Sequence, residues 1–189
     1  MKAKLFSLVL LGALASANAA TIPVQPSQGK IEFHAVGRPS MIKINGEGKG
    51  PEGTLNLEGA KVSGDLTFDM TSLTTGIGMR DSHMKEKYLE VQKYPQSKLH
   101  LTSVTLPASW SSKTPAIKDA KFAGDLTMHG QTKPVSGTFT LEGDASKMKA
   151  IADFDVNINE FGIEIPKYLG ITVRNEVPVE ITMSDLQAK

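Results

Sequence analysis

Apolar and polar residues alternate with a period of two through most of this chain. Ile31, Phe33 and Ala35 alternate with Lys30, Glu32 and His34, and Ile42 and Ile44 with Lys43 and Asn45. Val62, Leu66, Phe68 and Met70 face one way while Lys61, Ser63, Asp65, Thr67 and Asp69 face the other. This is the pattern of strands with one buried and one solvated face. It returns in Leu55 and Leu57, in Phe122, Leu126 and Met128, in Val135, Phe139 and Leu141, and in the long run from Met148 to Ile158. Ile171 to Met183 reads as one last, clean strand. Leu99 and Leu101 stand at odd positions but Val104 and Leu106 at even ones, so a bulge is predicted near Thr102-Ser103. Thr21 to Gly29, with Pro23 and Pro26, reads as a lead-in, and Pro107 to Asp119 as a polar loop holding Trp110.

One stretch breaks the alternation. Between Thr74 and Pro95, Met84, Tyr88 and Val91 recur at the i, i+4, i+7 spacing of an amphipathic helix. Asp81 is the expected N-cap, and Tyr94-Pro95 the stop, because the residue before a proline is pushed out of the helical region. A single short helix in a chain of strands needs an apolar surface to cover. The open mouth of a barrel supplies one, so the segment is read as a lid.

Eight to ten one-sided strands without helical crossovers exclude a parallel sheet. Of the two antiparallel solutions, a closed barrel of about eight strands removes the exposed edges that a sandwich would leave, and it is preferred. Inward glycines at 46, 48, 64, 124 and 137 and alanines at 35, 150 and 152 suggest unfilled volume. Coiling of barrel strands at those glycines is the other reading, and composition leaves both open.

Met1 to Lys4 is a basic start, Leu5 to Ala17 an apolar run of signal-peptide length, and Ala17-Asn18-Ala19 an A-x-A cleavage site. The expected organisation is a leader over 1–19 and a single mature domain over 20–189. Without Lys2 and Lys4, 19 basic residues face 20 acidic ones. That balance gives no electrostatic case for nucleic acid or for an anionic membrane. The chain has no cysteine, which excludes disulfides, thiol catalysis and a lipoprotein anchor.

Catalytic signals are weak. Arg80, Asp81 and His83 lie within one turn, but neighbouring helix-start residues point apart, and a capping role for Asp81 explains them better. His34, His83, His100 and His129 show no metal-ligand spacing, and no nucleophile elbow or phosphate loop is present. Enzyme activity, a metal and a cofactor are therefore not expected.

Thr75-Gly76 with Arg80-Asp81, His83-Met84, Tyr88-Leu89 and Lys93-Tyr94-Pro95 resembles the helical signature of the YceI-like family. Gly124 to Val135, with its Leu-Thr, His-Gly and Thr-Lys-Pro elements, resembles a second family signature, and Phe161-Gly162-Ile163 a third. The resemblance runs from about Gly29 to about Met183. It implies an exported, periplasmic, lipocalin-like antiparallel barrel whose apolar tunnel holds a polyisoprenoid or isoprenoid-quinone chain. On that reading Phe33, Phe68, Phe154 and Val156 line the walls, Met84, Tyr88 and Val91 close the mouth, and Arg80 or Tyr88 meets a polar head. Eight methionines, among them Met70 and Met128, suit a deformable lining. The partner is an apolar lipid, with no membrane span and at most transient contact with membranes. The alternative is a packed-barrel interaction or stress protein with Trp110 as its contact.

Overall fold

The structure is a computed structural model that describes residues 19–39, 42–107, 116–144, 146–168 and 170–189. Residues 1–18, all but the last of the expected leader, and the loop tryptophan Trp110 lie outside those residues.

Twelve strands form one antiparallel sheet. They are β1 (Ala19–Val24), β2 (Gly29–Arg38), β3 (Ile42–Lys49), β4 (Glu52–Glu58), β5 (Lys61–Asp69) and β6 (Gln96–Thr105), followed by β7 (Ile117–Met128), β8 (Gln131–Asp144), β9 (Lys147–Asn157), β10 (Lys167–Tyr168), β11 (Ile171–Val173) and β12 (Glu176–Leu186). The spatial order is β1-β4-β5-β6-β7-β8-β9-β12-β2-β11-β10, with β3 also on β2. The last long strand is therefore interior, paired with β9 on one side and β2 on the other. The sheet curls around a core that includes Leu66, Phe68, Leu99, Leu126, Phe154 and Ile181. Its edge strand β1 is tied back through a reciprocal pair of backbone hydrogen bonds between Thr21 and Lys189.

The strand count exceeds the expected eight to ten for identifiable reasons. The proline-bearing lead-in is itself β1, an edge strand, where a proline costs no ladder bond that the sheet needs. The expected single strand from Ile171 to Met183 breaks at Arg174-Asn175 into β11 and β12, both paired with β2. Val173 faces Gly37 and Val179 faces Phe33, so two extra residues are inserted, and an even insertion leaves the alternation intact. Between Leu101 and Ser103 the register of β6 against β7 shifts, as the parity change implied.

Turn chemistry fixes the long hairpins. Met128 faces Gln131 across a two-residue turn whose His129 and Gly130 both have positive φ, 51° and 75°. That is the type I′ geometry, whose twist matches the flanking strands.

The helical stretch departs from expectation. A short α1 (Gly78–Ser82) starts three residues before the predicted cap, with Ile77 at the N-cap position, and continues as a π-helical segment, His83–Tyr88. The segment ends at Tyr88, before Tyr94-Pro95, because Glu90 turns the chain with φ 43°.

Candidate functional site

A cavity of about 740 Å³ opens at the end of the curled sheet. Its volume falls in the range of ligand pockets, roughly 300–1,000 Å³. Ile31, Phe33 and Ala35 of β2 and Val156, Val177 and Val179 of β9 and β12 form its walls. Met84, Tyr88 and Leu89 of the lid close one side, and a flap over residues 158–173, with Ile158, Ile163 and Ile171, closes another. The side chains with polar groups among its lining residues are Thr75, Arg80, His83, Lys87, Tyr88 and Lys167.

The lid is held at its start by Asp81. Its carboxylate accepts hydrogen bonds from the hydroxyls of Thr74 (2.6 Å) and Thr75 and from the Thr75 amide (2.7 Å). Asp81 thus caps the loop that precedes α1, and the predicted capping of its own helix is corrected: the helix begins before it. Burial alone would raise the Asp81 carboxyl, but the hydroxyl bonds of Thr74 and Thr75, the amide bond and the charge of Lys85 hold it below the ordinary carboxylate range. Arg80 donates through Nε to the Thr75 hydroxyl (2.8 Å) and through Nη2 to the Thr75 carbonyl (3.0 Å). These bonds use two of its five N–H donors and fix the guanidinium at the cavity rim.

At its far end the lid is held by His129. Nε2 of this ring lies 2.7 Å from Glu90 Oε2, and Nδ1 lies 3.0 Å from the Phe161 carbonyl. The ring stacks at a tilt on Tyr94, 4.6 Å between centroids. One buried imidazole, on the β7–β8 turn, therefore joins lid and flap. Sequence reasoning weighed His129 as a metal candidate and as part of the second family signature, but not as a tie between lid and flap. The signal that could have found it is the His-Gly turn: a type I′ loop points its first side chain from a fixed backbone.

Phe33, Met84, Tyr88 and Val156 lie in the cavity wall, and Arg80 at its rim, where the sequence reading put them. Phe68, Phe154 and Val91 do not. They are at most 9% exposed and belong to the packed core below the cavity. On β9, Val156 lines this cavity, while Ala152 and Ala150 line a second, apolar one of about 110 Å³ deeper in the barrel. Phe154 sits between them, one rung from each, and its ring meets Phe122 edge-on at 5.9 Å. Phe68 and Leu126 are likewise buried and line neither cavity. Phe154 thus stands as a septum between the two cavities.

The inward glycines do not make the cavity. A Cβ at Gly46 would run into the Phe33 ring, one at Gly137 would lie 2.9 Å from Phe122 and 2.8 Å from Phe154, and one at Gly48 would lie 2.9 Å from Leu73. Each glycine admits a large neighbour; the space is left by the lid and flap standing off the end of the sheet.

The profile of the YceI-like domain matches residues 23–184. The chain belongs to the YceI-like family. A UPF0312 protein of Pseudomonas syringae pv. tomato is 33% identical over 156 residues, covering 77% of this chain and 75% of its own length. A Pseudomonas putida UPF0312 protein is 37% identical over 130 residues, 65% of this chain and 62% of its own. Among solved structures, Burkholderia cenocepacia BcnA superposes with a TM-score of 0.68 at 18% identity, over 85% of this chain and 98% of its own. A polyisoprenoid-binding domain from Saccharophagus degradans gives 0.64 at 12% identity, over 90% and 99%. At such identities the likeness is one of fold, and it is the YceI-like fold that the curled sheet and its lid reproduce.

Proposed function

We propose that this YceI-like chain is an exported, periplasmic lipid-binding protein that encloses an isoprenoid or isoprenoid-quinone chain beneath its lid, as carrier or store. The observation that carries the reading is the 740 Å³ cavity, walled by aliphatic and aromatic side chains under a lid tied down at both ends. A filled barrel would offer no such space. The driving force is area: about ten CH₂ groups taken from water contribute ~8 kcal/mol. That offsets the lower part of the roughly 4–15 kcal/mol that association costs. Arg80, held in place by Thr75, stands where a polar head would emerge.

The test is native mass spectrometry of the mature protein purified without detergent, followed by extraction of the lipid. A stoichiometric apolar adduct is the expected result, and its mass separates quinone from plain polyprenyl chains. A bare mass that persists after incubation with prenyl lipids overturns the reading. The mass of the purified chain also reads the leader: cleavage after Ala19 is expected.

A further inference from the structure

A soluble carrier of a chain lipid has to collect that lipid somewhere, and the distribution of exposed apolar side chains marks a place. Among the described residues, three large hydrophobics are exposed: Ile42 at 40%, Ile77 at 53% and Met79 at 68%. All three line the mouth of the same cavity. Ile42 begins β3, and Ile77 and Met79 begin the lid, so one rim gathers them from two separate elements. An apolar side chain left in water at one position needs no explanation, but three on one rim mark an interaction surface.

Charge says what the surface meets. The basic side chains lining the cavity are Arg80, His83, Lys87 and Lys167, with no carboxylate in the lining. Glu164 lies nearby, 3.8 Å from Lys87, on two well exposed side chains. The near-zero charge of the whole chain conceals this asymmetry. Apolar side chains set among cations are the arrangement by which a protein seats itself in the headgroup layer of a membrane: the apolar groups enter the boundary and the cations meet anionic lipid.

We infer that the cavity mouth, through Ile42, Ile77 and Met79 ringed by Arg80, Lys87 and Lys167, docks on the surface of an anionic lipid bilayer, so that a chain lipid passes between membrane and cavity without crossing water. The inference rests on the lipid-binding reading, but its surface can be tested apart from any cargo. The wild-type chain is floated with vesicles of phosphatidylglycerol and phosphatidylcholine and with vesicles of phosphatidylcholine alone. Partition onto the anionic vesicles is expected to exceed that onto neutral ones several-fold and to fall with added salt.

The Ile77→Ser/Met79→Ser double variant should partition about tenfold less well onto anionic vesicles. Lys87→Gln/Lys167→Gln should lose most of the preference for anionic lipid. Circular dichroism checks that the sheet is intact; Ile42→Ser, on β3 and away from the lid, gives an independent reading of the same rim. Equal partition onto both vesicle types, or binding unchanged in the apolar variants, overturns the docking surface. Native mass spectra of the same samples keep the two ideas apart: a retained lipid without vesicle binding removes the dock and leaves the carrier, while vesicle binding by a chain that takes up no lipid does the reverse.

Discussion

Asp81 is a residue whose chemistry sets the state of the whole lid. Its carboxyl is held below the ordinary carboxylate range by donors that bond to the charged form. A depressed folded-state value means that the stabilisation is fully present above the unfolded carboxyl's range and is lost as pH falls through the folded value. Protection factors over residues 75–91, corrected for the intrinsic exchange rate, should accordingly fall as pH drops below the ordinary carboxylate range while the strands stay protected. Asp81→Asn should show the lowered protection already at neutral pH and flatten the acid response; an unaltered pH profile would refute the role. Tyr88 acts differently, by covering the cavity. Tyr88→Asp should lower ligand retention, read by native mass spectrometry, with the thermal midpoint of the barrel nearly unchanged. The chemistry at both positions was legible in the sequence, as a carboxylate at a helix start and a ring on the apolar face. What the carboxylate holds was not, because Thr74 and Thr75 precede it in the chain and become its donors only when the loop folds back.

At the scale of elements, lid and flap form one mouth because His129 touches both. Its side chain is 12% exposed and that of Glu90 44%, so the ring is mostly covered while its carboxylate partner still meets water. Losing them by His129→Ala should cost about 2 kcal/mol. Exchange should rise in the lid end and at residues 158–163 together; loosening of the lid alone would show that the two are not coupled through this ring. The strands themselves were easily read, since a period of two survives anything that preserves parity. The same property hid the break at Arg174-Asn175, whose two inserted residues leave Val173 and Val177 on one face. The flap was harder to read because its elements are short, a single helical turn at Ile158–Phe161 and the strands β10 and β11, too brief for a period to show. There Phe161 is buried at 1% and Gly162 takes a φ of 71° that ends the turn.

For the whole molecule, the septum at Phe154 separates the two cavities and so bears on how long a chain the protein can hold. Phe154→Ala removes that ring and should lower stability by about 3–5 kcal/mol. It should also join the cavities, letting the variant retain longer prenyl chains than the wild type in a competition between chains of graded length. Unchanged length preference would show that the septum yields to the ligand. The count of small inward residues left a hollow and a packed core equally open, and the structure divides them: Ala35 lines the large cavity and Ala150 and Ala152 the small one, whereas a Cβ at Gly46 would meet the Phe33 ring. Volume inside a sheet depends on which side chains meet across it, and a single strand's pattern carries no record of that.

The interior position of β12 has a consequence in time. Residues 176–186 fill the gap between β9 and β2, so the pairing of Ile31 with Ile181 spans most of the chain. Until that strand arrives, β2 has no neighbour on its β12 side and β9 none beyond β8, and the core lacks Ile181 and Met183. Such distant pairing makes folding slow and places ring closure at its end. The wall that the lid covers therefore stays incomplete until Val177 and Val179 are set between β9 and β2.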